Sequence, residues 1–341
     1  MLFSSLKFIF IMMRMNSILT NRTFEQFPSW HIVYEWEDLF SKLLKVPLKN
    51  ENITASLTKK PGLFYRIINK LHFSELIRFY YTLKPSKDFV FFMFTPYKGN
   101  PLVLKNTIPV VIDVWSKDID LFISTFKKNR LVYVGSLEAM NAIKSKSDIN
   151  VKYLPVSISD QYKLTSYPDK DIDIIQYGRT NKDLKDWTEL FVQKYPNYNY
   201  VTGYTKNGIP EYYSNKTGHF GYLNREKFNS ILLRTKVSIV SSPGLDNFER
   251  TGGFNPLTPR FLEGAGNYCY MLGKFAENED YTINKVSSVC RNVSSYSEFE
   301  SILLKMLTTE FNEFEKYDNF LSKHWTSKRI EQVLDDLMLL K

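Results

Sequence analysis

IPVVIDVWSKDIDLFISTFKKNRLVYVGSLEAMNAIKSKSDINVKYLPV, residues 108–156, decides the fold class. An apolar run, Ile108–Val114, gives way to helical spacing over Ser116–Lys128. Leu131–Gly135 is a second apolar run. Ser136 follows as the N-cap of a helix over Leu137–Lys144, and Val151–Val156 is a third run. Short, continuously apolar runs separated by helices are the pattern of parallel strands covered on both faces. Upstream, Asp88–Thr95 reads as another strand, stopped by Pro96 and Gly99. Residues 1–85 carry less signal, with helical spacing over Trp36–Leu44 and Leu63–Tyr81. Residues 1–160 are therefore expected to form a Rossmann-like domain.

The polar stretch Ser157–Lys170 is the best boundary, and the alternation restarts after it. Strands are expected at Ile172–Tyr177, Tyr198–Thr202, Val237–Ser241 and Tyr268–Leu272. Helices are expected at Leu184–Lys194, Arg225–Leu233, Pro259–Ala265, Ser297–Leu307 and Trp325–Leu340. The expected class is α/β, with two Rossmann-like doubly wound domains, 1–160 and 170–341, facing a cleft.

Composition removes several classes. In 341 residues, 43% hydrophobic and 24% charged content excludes a disordered or fibrous chain. Two cysteines, Cys269 and Cys290, and four scattered histidines offer neither a disulfide framework nor a metal site. The net charge is +9, but it is uneven: through Tyr167 there are 23 Lys+Arg against 13 Asp+Glu, and beyond it 22 against 23. A basic first half suits an anionic surface or a phosphorylated substrate. No basic block interleaved with aromatics marks it for nucleic acid. Leu2–Met13 is apolar apart from Lys7, too short to span a bilayer, and fits a buried segment, an over-extended start or a shallow membrane contact.

The chemistry concentrates in SSPGLDNFERTGGFNPLTPRFLEGAGNYCYMLG, Ser241–Gly273. A strand ends at Ser241 and a Gly-rich loop follows. Thr258-Pro259-Arg260 then opens a helix, with Thr as N-cap and Pro as its first residue. Such a terminus aims free amides and a positive dipole end at an anion, and Arg260 in its first turn fits a diphosphate. Glu263 lies one turn on, where a carboxylate accepts hydrogen bonds from ribose hydroxyls. Gly264, Gly266 and Gly273 permit close backbone approach.

This segment resembles the donor-binding region of GT-B glycosyltransferases, of the group 1, spore-maturation and exostosin types. The resemblance rests on Pro243-Gly244, Thr258, Arg260, Glu263 and Gly266. It implies that Gly178 and Arg179, in the turn after the first strand of the second domain, meet the donor phosphates, and that His324–Arg329 opens the last helix. It covers residues 170–341. One departure concerns the two glutamates of many retaining members, which have seven residues between them: the position of the first is Asn255, so retention or inversion stays open.

Further candidates are Phe220 and Tyr222, as a stacking surface for the nucleotide base, and Asp113, beyond a strand's carboxyl end, as a base facing the acceptor. No GxxxxGK[ST], GxGxxG after a strand or Gly-x-Ser-x-Gly appears. The resemblance implies transfer of a sugar from a nucleoside-diphosphate sugar to a glycan or lipid-linked acceptor in surface polysaccharide synthesis, without metal or other cofactor. The expected location is the cytoplasm, peripheral on the inner face of the membrane. The alternative is a nucleotide- or glycan-binding α/β protein without turnover.

Overall fold

The computed structural model describes residues 15–23, 30–50, 89–92, 107–179, 181–206 and 209–340. The apolar segment Leu2–Met13 and the expected helix Leu63–Tyr81 lie outside the described residues. The chain divides into two compact units: Met1–Ser159 with Thr326–Lys341, and Asp160–Trp325.

The first unit holds a six-stranded parallel sheet. Its strands are β1 (Ile18–Thr20), β2 (Leu48–Asn50), β3 (Phe89–Phe92), β4 (Ile108–Val111), β5 (Val132–Val134) and β6 (Val151–Tyr153), in the order β2-β1-β3-β4-β5-β6. The order reverses between β1 and β3, the mark of a doubly wound sheet. Helix α1 (His31–Leu44) buries Ile32, Val33, Trp36, Phe40 and Leu44 as one amphipathic face. Helices α2 (Ile119–Phe126) and α3 (Leu137–Lys146) follow β4 and β5, and the Ser136 hydroxyl accepts from Ala139 N–H at 3.3 Å, capping α3.

The second unit has seven strands: β7 (Ile172–Gln176), β8 (Tyr200–Lys206), β9 (Ile209–Ser214), β10 (Gly218–Gly221), β11 (Thr235–Ser241), β12 (Tyr270–Lys274) and β13 (Cys290–Asn292). Their order is β10-β9-β8-β7-β11-β12-β13. The core from β8 to β13 is parallel, and β9 and β10 add an antiparallel ribbon. The helices are α4 (Lys182–Lys194), α5 (Arg225–Leu233), α6 (Phe248–Thr251), α7 (Pro259–Gly266), α8 (Glu279–Ile283), α9 (Tyr296–Thr308) and α10 (Phe314–Leu321). β11 and β12 are almost wholly buried, and their centres, Val237–Val240 and Tyr270–Gly273, carry only small or apolar residues.

The last helix, α11 (Thr326–Leu339), belongs with the first unit, which corrects the expected domain span 170–341. It packs on α1. Side chains fasten it to the end of the first sheet: Arg329 Nε donates to Pro155 O at 3.1 Å, Gln332 Nε2 to Tyr153 O at 2.7 Å, and Lys152 Nζ meets Asp336 at 2.6 Å. These partners lie more than 170 residues apart in sequence.

Glu37 on α1 is fully buried. Its Oε2 takes the Thr20 hydroxyl and, at 3.2 Å, Arg22 Nη2, while Oε1 has no hydrogen-bond partner among the described residues. Burial, the largest influence, pushes its pKa up to about 7, and the bonds from Thr20 and Arg22 pull the other way. An acid with a raised folded pKa is neutral in both states below the unfolded value, so its contribution is complete there. It is lost as pH rises toward 7, when only the unfolded chain releases the proton freely. The first unit is therefore expected to lose about 3 kcal/mol of stability between about pH 4.5 and 7 through this group. Glu37→Gln should flatten that slope in urea titrations across pH; an unchanged slope removes Glu37 as its source.

Candidate functional site

The second sheet reverses order between β7 and β11, because β8 lies on one side of β7 and β11 on the other. In open α/β sheets, ligands bind outside the carboxyl ends of the strands at that point. The segments emerging there are Tyr177-Gly178-Arg179 after β7 and the loop Pro243–Pro256 after β11.

Gly178 has φ +67°, a left-handed backbone that a side chain disfavours. A Cβ there would also lie 3.3 Å from Arg260 Cδ and 3.5 Å from its Nη1. Arg260, in the first turn of α7, thus crosses the β7 turn at close range. Its Nη1 donates to the Arg179 carbonyl and its Nη2 to the Ser241 carbonyl at 3.1 Å. One guanidinium ties together the carboxyl ends of β7 and β11. Burial draws its pKa down from the ordinary value, and the carbonyls replace the water it has lost.

Arg179 reaches the other way. Its Nη1 donates to Pro243 O at 2.8 Å and its Nη2 meets Asp246 Oδ1 at 3.0 Å, while Asp246 Oδ2 also accepts from Lys182 N–H at 2.9 Å. Asn255 staples the same loop: its Oδ1 accepts from Gly244 N–H at 2.8 Å and its Nδ2 donates to Gly253 O at 2.7 Å. The position where the resemblance expects a carboxylate is therefore occupied in holding the loop's shape.

Thr258 stands at the N-cap of α7 with an extended backbone and Pro259 behind it, but its hydroxyl makes no capping bond. Its Oγ1 is buried without a hydrogen-bond partner among the described residues. By contrast, Asn181, Asn224, Asn278 and Ser295 each cap their helix with a side-chain oxygen. Pro259 has no N–H and Phe261 N–H donates to the Thr258 carbonyl at 3.3 Å, so the Arg260 amide is the one left in this turn for another acceptor, beside its own guanidinium.

Glu263, on the same helix, is buried and ion-paired with Arg225 of α5. Tyr177 packs edge-on against Phe228 of α5, and its hydroxyl donates to Arg260 O at 3.2 Å. Phe220 and Tyr222 are 38% and 44% exposed, on and just after the edge strand β10, which β9 and β8 separate from β7. Asp113 lies two residues past β4, in the first unit. The structure thus brings Gly178, Arg179, Thr258 and Arg260 together, with Glu263 one turn along α7. Sequence reasoning missed Asp246 and Arg225. An acid inside the Gly-rich loop was the available signal for the first, and nothing local marked the second. Among the described residues, no three His, Cys, Asp or Glu side chains group to hold a metal ion, and no helix is long and apolar enough to cross a membrane.

No protein-family model matches the chain, and no curated protein does. Solved structures do. A Listeria monocytogenes protein described as a UDP-N-acetylglucosamine 2-epimerase superposes with a TM-score of 0.50 at 8% identity, over 95% of each chain. The chain has the GT-B fold. The pneumococcal O-GlcNAc transferase GtfA, solved with UDP and GlcNAc, is similar at a TM-score of 0.47 and 12% identity, over 77% of this chain and 60% of GtfA. A trehalose-6-phosphate synthase is similar at 0.49 and 11%, over 83% of this chain and 80% of that one. The chain spans about 60% of the length of GtfA.

Proposed function

We propose that the second unit binds the diphosphate of a nucleoside-diphosphate sugar at the β7–β11 switch point, and that the chain transfers that sugar. The observation that carries this reading is the buried, unpartnered Thr258 hydroxyl at an uncapped helix terminus beside Arg260. Buried polar atoms are ordinarily satisfied, so an orphan hydroxyl next to the Arg260 amide and guanidinium suits a bound phosphate. In a glycosyl transfer, negative charge grows on the departing diphosphate. The amide and guanidinium of Arg260 would stabilise it, without a metal or other cofactor in this reading.

The acceptor in this reading is a glycan or lipid-linked intermediate of surface polysaccharide, met by the basic first unit at an anionic membrane surface on the cytoplasmic side. Asp113 is the proposed base there. Binding to anionic vesicles that is weak on neutral ones and lost at high salt would support the surface; no sedimentation with anionic lipid at low salt would favour a soluble acceptor.

The test of the donor site is a thermal-shift panel of nucleoside diphosphates. A diphosphate at 100 times its Kd should stabilise the chain by about 2.7 kcal/mol. Arg260→Ala should weaken binding by about 1.5–3 kcal/mol, the loss of a charge-assisted bond. Equal affinity in the folded variant would remove Arg260 from the site.

A binding protein without turnover is the second reading, and Asn255 favours it. Sugar-nucleotide hydrolysis or transfer separates the two readings.

A further inference from the structure

A concavity of about 730 Å³ lies on the second unit, lined in part by Lys285, Ser288, Asn312, Lys316, Asn319 and Lys323. It is not the switch point. It borders α10, whose Tyr317 hydroxyl lies 2.9 Å from Cys269 O and 3.0 Å from Val289 O, just before β12 and β13. Helix α10 therefore stands at the amino ends of strands whose carboxyl ends face the switch.

Two lysines meet here because two turns are fastened together. The Asn284 carbonyl lies 3.2 Å from His324 Nε2; a carbonyl only accepts, so the imidazole donates. Both residues are buried. Their sequence neighbours, Lys285 and Lys323, are exposed and are carried to the same place. Each backbone is fixed: Lys285 N–H donates to Thr282 O at 3.1 Å and Lys323 N–H to Phe320 O at 3.2 Å. Lys285 holds φ +56°, a left-handed position at a helix end where glycine is the usual residue. The charge of Lys285 lowers the Lys323 pKa below the ordinary lysine value.

The other charged groups on the concavity are Glu313, Glu315 and Lys316. Glu313 is taken by Lys316 at 3.1 Å and by Arg291 at 3.8 Å. Among the described residues, neither Lys285 nor Lys323 has an ion-pair partner. Two ammonium groups carried to one concavity on fixed backbones repel each other, and a dianion between them turns that repulsion into attraction.

We infer that this concavity is a phosphate-monoester site, in which Lys285 and Lys323 share one phosphate and the Asn and Ser side chains meet the polyol that carries it. The site is separate from the diphosphate site and stands without it.

The probe is glycerol 3-phosphate, titrated by calorimetry into the full chain at low ionic strength. Wild type should bind. Lys323→Met and Lys285→Gly should each weaken binding about tenfold, as loss of one charge-assisted bond does. Arg260→Ala should bind glycerol 3-phosphate as wild type does, which separates this site from the diphosphate site. Lys285→Gly relieves the left-handed backbone, so it should melt no lower than wild type and keep the test free of unfolding. A second arm uses phosphatidylcholine vesicles with and without phosphatidic acid. Co-sedimentation lost in both lysine variants assigns the phosphate to a lipid headgroup; binding of glycerol 3-phosphate alone assigns it to a soluble ester. No binding in either arm, or wild-type affinity in both lysine variants, overturns the proposal.

Discussion

Glu263→Ala is expected to destabilise the second unit by about 3 kcal/mol, because it strands the Arg225 guanidinium opposite an empty buried position. The pair is nearly closed to solvent, with side chains 8% and 18% exposed, so screening takes little from it. Arg225 also sits over the rings of Tyr162 and Phe228, at 5.5 and 5.9 Å from their centroids. Urea denaturation reads the loss directly. Glu263→Gln keeps an acceptor and should cost less. If Glu263 also takes ribose hydroxyls, Glu263→Gln lowers diphosphate affinity more than Glu249→Gln does. Equal affinities in those two variants would leave Glu263 with its Arg225 partner alone.

Gly273→Ala should be at least as damaging. Gly273 pairs with Val240 in the parallel β11–β12 ladder. A Cβ added there would fall 1.8 Å from the Val240 carbonyl oxygen and 2.8 Å from its carbon. Those are backbone atoms of a buried strand and cannot step aside without shearing the sheet. A loss of about 3 kcal/mol or more follows from such overpacking, enough to move the chain out of the soluble fraction. Gly264→Ala is the control, since its Cβ would meet the Met271 sulfur at 2.8 Å, the end of a flexible side chain. A clear gap between the two variants in solubility and melting temperature is expected. Wild-type melting of Gly273→Ala would mean that the β11–β12 register is wrong.

The parallel core was legible because burial on both faces writes short runs dominated by apolar residues. Val237–Ser241 and Ile172–Tyr177 match β11 and β7 to within two residues at either end, and the expected helix Arg225–Leu233 is α5. The antiparallel ribbon was not legible. β9 carries Pro210 and Glu211 among its tyrosines and β10 is bracketed by Gly218 and Gly221, so neither alternates cleanly. β1 is three residues long, too short for any period. The return of α11 to the first unit depends on Arg329 and Gln332 finding carbonyls in residues 153–156, contacts that leave no local trace.

The candidate site was legible in kind. A Gly-rich loop, a Thr-Pro helix start and an Arg in its first turn can be read along one segment, and strand order brings Gly178 and Arg179 to it. What each side chain holds was not legible. Thr258 has the residue type and backbone of an N-cap, yet its hydroxyl caps nothing. Asn255 holds the loop, and Glu263 answers an arginine 38 residues away. Glu37 sits among charged neighbours in sequence, and only the fold shows that its face of α1 is buried.

Hydrogen exchange with and without a nucleoside diphosphate, chosen as the one that gives the largest melting shift, reads the diphosphate site amide by amide. New protection is expected at the backbone amides of Gly178 and Arg179 and at that of Arg260 in the first turn of α7, and it should be lost in Arg260→Ala. Protection confined to other segments, or none with any diphosphate of the panel, would contradict it.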